Sequence, residues 1–122
     1  MADSDREGLT LTVDKDSVGW LTFDRPGSKV NLLTTPVMER LDGLITELQS
    51  RIATGKLVAV VFSSGKPGTF IAGADVHEIA RLADAADAAA KSRRGQRIFS
   101  RVARLTVPTV AAIDGTCLGG GT

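Results

Sequence analysis

Two segments rich in small residues could present backbone N–H groups to a substrate. GTCLGGGT occupies residues 115–122, and GTFIAGADVHEI occupies residues 68–79. Glycine and alanine let a backbone come close to a ligand. Two convergent N–H donors form an oxyanion hole, which stabilises negative charge that develops on a carbonyl oxygen. Together the two segments indicate chemistry at an activated carbonyl such as that of a thioester.

The glycine run also comes close to a phosphate-binding pattern. It nearly matches G-x-x-x-x-G-K-[ST], but Gly121 stands where that pattern has its lysine. Because this lysine supplies the charge that holds the β- and γ-phosphates, a nucleoside triphosphatase is not expected. The spacing also departs from G-x-G-x-x-G. On the glycines alone, a tight turn with close packing of helix on sheet is the alternative interpretation.

Other reactive side chains give little support for a different chemistry. His77 is the single histidine, so a histidine-based triad or a metal cluster is not expected, and we place it on a helix surface. We expect Cys117 to be a small packed thiol, and Asp75 to cap the helix that follows it. Glu78 is expected on a solvated helix face.

The composition is that of an ordinary globular domain. The 122 residues are 43% hydrophobic and 24% charged, with a net charge of +1. This length predicts about one domain, and this charge gives no field that would attract nucleic acid. No stretch approaches the roughly 20 apolar residues of a membrane span, and the N-terminus MADSDREG does not resemble a signal peptide. We therefore expect a cytoplasmic protein without a membrane span or a nucleic-acid partner.

The hydrophobic pattern predicts an α/β chain with the order ββαβααβ. Residues 9–14 and 18–23 alternate between apolar and polar, which predicts a hairpin. The runs LVAVVF and TVAAI are typical of strands buried on both faces of a parallel sheet. The remaining predictions are strands at 57–62 and 109–113, a loop at 65–73, and helices over 75–82 and from an Asp84 cap to about 105. A further helix is predicted to run to about 54, with Thr35 as its N-cap and Pro36 at its first helical position.

Both small-residue segments follow a predicted buried strand. Ligands bind at the carboxyl ends of strands in open α/β sheets. We therefore expect the two segments to meet at one site.

Three segments, in order, carry a resemblance to a known family. They resemble segments of the crotonase, or enoyl-CoA hydratase/isomerase, superfamily. The three segments are LTFDRPGSKVNLLTTPVMERL, TFIAGADVHEI and PTVAAIDGTCLGGGT. The sequences of these segments are most similar to the hydratase part of multifunctional fatty-acid oxidation enzymes. The resemblance implies the N-terminal portion of a crotonase-like spiral of ββα units over residues 9–122, truncated at its C-terminus and preceded by a flexible segment at 1–8.

The resemblance also implies roles for single residues. Ala74 and Gly120 would donate the two oxyanion-hole N–H groups. The residues that would line the substrate path are Ala72, Gly73, Asp75, Val76, Gly119, Lys29 and Val30. Lys29 is equally consistent with a solvated loop lysine.

The basic stretch near the end of the third predicted helix has two interpretations. A solvated helix face is the usual one, and contact with CoA phosphates or a neighbouring subunit or domain is the alternative. The residues concerned are Arg93, Arg94, Arg97, Arg101 and Arg104.

The implied reaction is hydration of a trans-2-enoyl-CoA thioester in fatty-acid β-oxidation. The family's first catalytic glutamate would fall at position 123 and the second further on, so this chain alone is expected to be inactive. No cofactor is implied beyond the CoA of the acyl-CoA substrate, with NAD needed only by a downstream dehydrogenase domain. The implied assembly is a homo-oligomer or a thiolase-containing complex. Enoyl-CoA isomerisation, or acyl-CoA binding without catalysis, remains an alternative.

Overall fold

A computed structural model describes residues 8–122 and begins with an antiparallel hairpin. The predicted flexible N-terminus, 1–8, falls almost entirely outside these residues. Strand β1 (Leu9–Val13) pairs with β2 (Val18–Phe23) in a register that places Leu9 opposite Phe23. Gly19, Leu21 and Phe23 are buried, as the alternation predicts. The hairpin prediction is therefore confirmed.

Helix α1 (Thr35–Ala53) links the hairpin to the parallel part of the sheet. Its buried residues recur at helical spacing on one face, and they are Val37, Leu41, Leu44, Ile45 and Leu48. The predicted N-cap is wrong by one residue. The cap is Thr34, whose Oγ1 accepts from the N–H of Val37 at 3.2 Å, so Pro36 is the second helical residue.

Strands β3 (Ala59–Ser64) and β5 (Thr109–Ala111) join the hairpin in the main sheet. The order of this sheet is β1-β2-β3-β5, and β3 runs parallel to both of its neighbours. The prediction began β3 two residues early, because Leu57 and Val58 continue the apolar run before pairing with β2 starts at Ala59. Helix α1 is therefore the crossover between the parallel strands β2 and β3.

The predicted burial of β5 is wrong. All three of its residues are exposed, with Val110 exposed at 54%. Strand β5 lies at the edge of the sheet, paired only with β3. A hollow of about 500 Å³ opens over it among the described residues. An apolar run indicates a strand, but it does not say how much of the strand is covered.

A second, smaller sheet was not predicted. Strands β4 (Thr69–Ile71) and β6 (Thr116–Cys117) pair in parallel, and a 3₁₀ turn follows at Gly119–Gly121. Both strands lie in segments predicted as loops. Strands of three and two residues are too short to show alternation.

Two further helices complete the described fold. Helix α2 (Val76–Ala80) is capped by Asp75, which accepts from the N–H of His77 at 2.9 Å. Helix α3 (Ala85–Ala103) is capped by Asp84, which accepts from the N–H of Asp87 at 2.8 Å. Both predicted caps are confirmed. No helix in residues 8–122 is long and apolar enough to cross a bilayer.

Candidate active site

The two small-residue segments lie in backbone contact. The N–H of Leu118 donates to the carbonyl of Ile71 at 3.0 Å. Gly73 has φ 106°, which favours glycine, and a Cβ there would lie 3.3 Å from the carbonyl oxygen of Leu118. A Cβ on Gly119 would lie 3.7 Å from the Cα of Gly73. The predicted meeting of the two segments is confirmed, and glycine is what lets the backbones approach.

The peptide between Gly73 and Ala74 is held from one side. Its carbonyl accepts from the N–H of Leu33 at 2.8 Å. In a trans peptide the N–H points opposite to the carbonyl, so the N–H of Ala74 points away from Leu33. Ala74 is exposed, and within residues 8–122 its N–H donates to no acceptor.

The peptide between Gly119 and Gly120 is held in the same manner. Its carbonyl accepts from the N–H of Thr122 at 3.0 Å, which closes the 3₁₀ turn. The N–H of Gly120 therefore points out of the turn. Among the described residues it too has no hydrogen-bond acceptor.

Ala74 and Gly120 line one cavity of about 660 Å³. Helices α1, α2 and α3 supply most of its wall. The larger apolar side chains of the lining are Leu33, Met38, Ile79, Leu82 and Phe99. Two outward N–H donors at an apolar cavity can bind a carbonyl oxygen and stabilise negative charge on it, because low polarity strengthens such hydrogen bonds.

Leu33 is a site residue that the sequence analysis missed. Its N–H orients the Gly73–Ala74 peptide. Its Cδ1 would lie 3.0 Å from a Cβ built on Gly120. One residue thus contacts both donor-bearing segments. Nothing in its type signals this, and only the parallel bridge between Leu33 and Ala74 reveals it.

Each carboxylate in the cavity wall is already engaged. Glu39 pairs with Arg94 at 2.8 Å, and the hydrogen bond from Arg94 holds the pKa of Glu39 below its ordinary value. Asp75 caps α2. Glu78 accepts from the N–H of Thr35 at 3.0 Å and from its Oγ1 at 2.8 Å. The expectation that Glu78 is merely solvated is therefore wrong.

The basic stretch divides into paired and exposed residues. Arg94 bridges Glu39 and Asp42, and Arg101 also binds Asp42. Burial alone would raise the pKa of Asp42, but hydrogen bonds from Arg101 and Arg94 outweigh it and lower that pKa. The carboxylates in turn raise the pKa of Arg94. These two arginines join α3 to α1, whereas Arg93, Arg97 and Arg104 are exposed as expected.

The remaining predicted residues lie around the donors or away from them. Gly119 begins the turn that carries Gly120, and the N–H of Ala72 donates to the carbonyl of Asn31 at 2.8 Å. Val76 is 69% exposed. Lys29 is exposed and Val30 half-buried, and neither lines the cavity. Their contact with CoA stays a prediction.

The single histidine and the single cysteine follow the expectations. His77 is exposed on α2. Cys117 is half-buried and packs against the core. Within residues 8–122, no three His, Cys, Asp or Glu side chains form a group that could hold a metal ion.

Several known proteins are similar to this chain in sequence. The profile of the enoyl-CoA hydratase/isomerase family matches residues 14–122. The fatty acid oxidation complex subunit alpha of Idiomarina loihiensis is 43% identical over 118 residues, which are 97% of this chain and 16% of that protein. The subunit of the same name from Aliivibrio fischeri is 42% identical over 110 residues, 90% of this chain and 16% of its own length.

A solved structure extends the comparison to the fold. The crystal structure of an enoyl-CoA hydratase/carnithine racemase from Magnetospirillum magneticum superposes with a TM-score of 0.82 at 26% identity, covering 93% of this chain and 41% of that one. The crotonase fold predicted from the sequence is confirmed. The chain spans under a fifth of the length of the two curated relatives. It belongs to the enoyl-CoA hydratase/isomerase family.

Proposed function

We propose that this chain supplies the oxyanion hole of an enoyl-CoA hydratase that acts in fatty-acid β-oxidation. One observation carries the proposal: the N–H groups of Ala74 and Gly120 have no acceptor within residues 8–122, and both residues line one cavity. The anchored carbonyls of Gly73 and Gly119 fix both donors before any ligand arrives. The curated relatives, by name, belong to fatty acid oxidation complexes.

Hydration of an enoyl thioester needs such donors. Water adds to the β carbon, and charge gathers on the thioester oxygen as an enolate-like species forms. Two N–H groups already in place stabilise that charge without reorganising, and loss of one comparable donor costs about 2.7–4 kcal/mol. The apolar wall of the cavity suits the hydrocarbon part of an acyl chain. Ala72, Gly73, Asp75, Val76, Gly119, Lys29 and Val30 complete the proposed substrate path.

Ligand binding tests the proposal directly. We expect the protein to bind a saturated acyl-CoA thioester more tightly than the matched thioether, in which a CH₂ group replaces the carbonyl. An isotope-labelled thioester carbonyl should show an infrared stretch shifted to lower frequency when bound, because two N–H donors polarise it. Equal affinities together with an unshifted carbonyl band would contradict the proposed function.

Acyl-CoA binding without turnover is a second candidate. The observation that favours it is the engagement of Glu39, Asp75 and Glu78, which leaves no uncommitted carboxylate in the described cavity wall. Hydration needs a general base and a general acid, so we expect residues 1–122 alone not to hydrate crotonyl-CoA. Turnover is measured as the loss of enone absorbance. A rate near that of a complete hydratase would contradict this expectation.

The reading frame of the gene distinguishes the two candidates. A glutamate codon at position 123 within a longer frame supports the hydratase, and a stop codon there supports binding alone. Isomerisation shares the oxyanion hole, and assay of a longer protein with a 3-enoyl-CoA tests it.

Location, assembly and cofactors belong to the same proposal. We propose a cytoplasmic enzyme that needs no cofactor of its own for hydration. It would assemble as a homo-oligomer or with a thiolase, and NAD would serve only an attached dehydrogenase. Cell fractionation and native mass spectrometry of the endogenous protein test these points.

A further inference from the structure

Glu78 joins two segments that are far apart in the sequence. Its two carboxylate oxygens lie 3.0 and 3.1 Å from the backbone nitrogen of Thr35, and Oε1 also accepts from the Thr35 hydroxyl at 2.8 Å. Glu78 is half-buried in the cavity wall. One side chain thereby ties the short helix α2 to the N-terminus of α1.

The unpaired N–H groups in the first turn of α1 explain why the Glu78 carboxylate lies beside Thr35. The first N–H groups of a helix have no partner within the helix. Val37 donates to Thr34 Oγ1 and Met38 to the Thr34 carbonyl, while Pro36 has no N–H. The N–H of Thr35 is left, and Glu78 accepts it. The positive end of the helix dipole also favours the negative charge of a carboxylate.

The same short segment of chain holds both sides of Ala74. Leu33 binds the carbonyl of Gly73, immediately before Ala74, and Thr35 binds Glu78, four residues after it. Without the second anchor, this segment would be held only by the Leu33 bond, on the N-terminal side of Ala74. Helix α2 has five residues, so it has little internal rigidity to replace that anchor.

We propose that Glu78 is a positioning residue, which holds the N–H of Ala74 at the angle needed to bind a thioester oxygen. This role rests on the proposed function, because it presumes that Ala74 contacts a carbonyl. Glu78 itself does not touch the reacting atoms. Its loss should therefore weaken binding of the carbonyl and leave the rest of the ligand's affinity unchanged.

The test compares thioester and thioether affinities in a graded set of variants. In Glu78→Ala, the preference for thioester over thioether should fall by about tenfold, the equivalent of one hydrogen bond to a polarised oxygen. Glu78→Gln keeps one oxygen that can accept from Thr35, so it should retain most of the preference. Glu47→Ala is the matched control, because within residues 8–122 the Glu47 carboxylate makes only an exposed ion pair with Arg51.

The outcomes separate a positioning role from a structural one. A wild-type preference in Glu78→Ala would overturn the proposal, and so would an equal loss of thioester and thioether affinity. The infrared shift of the bound carbonyl should shrink in Glu78→Ala and stay unchanged in Glu47→Ala. If Glu78→Ala does not fold, Thr35→Val decides, since it removes only the hydroxyl contact and should cause a smaller loss confined to the thioester. Equal thioester affinity in Thr35→Val and wild type would then overturn the proposal that Glu78 is a positioning residue. Lack of any preference in the wild type would instead refute the proposed function.

Discussion

The backbone N–H of Leu33 donates to the carbonyl of Gly73 across 2.8 Å, and this bond sets the direction in which the N–H of Ala74 points. A second backbone bond, from Thr122 to Gly119, does the same for Gly120. Both donors are therefore fixed by bonds on the opposite side of their own peptide units. Backbone hydrogen bonds thus preorganise the two N–H donors. Their direction therefore depends on the close approach of backbone segments more than on the identity of side chains.

Neighbouring glycines should respond very differently to a methyl group. A Cβ on Gly121 would lie 2.6 Å from the Ile71 carbonyl oxygen, and this backbone cannot yield easily. A Cβ on Gly120 would meet the ends of two side chains instead, Leu33 Cδ1 at 3.0 Å and Phe99 Cζ at 3.9 Å. We expect Gly121→Ala to lower the free energy of unfolding by about 1–3 kcal/mol, as overpacking does, and Gly120→Ala to lower it by less.

Urea denaturation of the two variants checks this prediction. Gly43→Ala is the control, since a Cβ at that exposed position in α1 meets nothing within 4 Å. It should raise the unfolding free energy by about 0.5–1 kcal/mol through helix propensity. Equal stabilities of Gly121→Ala and Gly120→Ala would contradict the close packing of β4 against the glycine turn.

Asn31 should be among the costliest residues to replace. Asn31 is 1% exposed, and the two hydrogens of its Nδ2 are shared among three acceptors, the carbonyls of Phe23 and Phe70 and Ser64 Oγ. Its Oδ1 accepts from the N–H of Arg25. Asn31→Ala leaves those buried groups without this partner, and we expect a loss of about 3 kcal/mol in unfolding free energy. Thermal or urea denaturation measures it. Gln96→Ala, on the exposed face of α3, should change stability by less than about 0.5 kcal/mol.

Much of the fold follows from periodicity, whereas the site follows from long-range backbone pairing. Spacing in the sequence predicts α1 and α3 because their caps and apolar faces are local features. It misses β4 and β6 because neither is long enough to alternate. It also misses Leu33 and Glu78, whose roles come from partners about 40 residues away. Ala74 and Gly120 were predicted from a resemblance, and no local pattern would have separated them from neighbouring small residues.

Replacing two adjacent residues on α3 should affect stability and ligand binding differently. Ile98 is fully buried, whereas Phe99 is 41% exposed and lines the cavity. Ile98→Ala should cost about 2–5 kcal/mol in unfolding free energy, as buried truncations do. Phe99→Ala should cost about 1 kcal/mol or less, because much of its surface is already in water.

Under conditions where both variants are folded, Phe99→Ala should weaken acyl-CoA binding more than Ile98→Ala does. Phe99→Ala removes apolar wall from the proposed acyl site, so it should weaken binding of a long acyl chain more than of a short one. Titration calorimetry with two chain lengths measures the difference. An unchanged preference for the long chain would place the acyl group elsewhere.

The ion pairs of Asp42 should make the contact between α1 and α3 sensitive to acid. Hydrogen bonds from Arg101 and Arg94 keep the pKa of Asp42 below its ordinary value in the folded state. A lowered pKa means that the stabilisation is complete above the ordinary value, about 3.9, and is lost as the pH falls through the folded value. Asp42→Asn should therefore cost about 1–2 kcal/mol at neutral pH, since the pair is partly exposed.

The difference between wild type and Asp42→Asn should shrink as the pH falls below the ordinary carboxyl value of about 3.9, because the wild-type carboxyl then becomes protonated as well. Urea denaturation at a series of pH values between 7 and 3 follows it. Asp16→Asn is the control, because the Asp16 carboxylate accepts no hydrogen bond from residues 8–122 and its replacement should leave the contact between α1 and α3 unchanged. A constant difference across the series would mean that packing of the side chain, rather than its charge, holds α3 against α1.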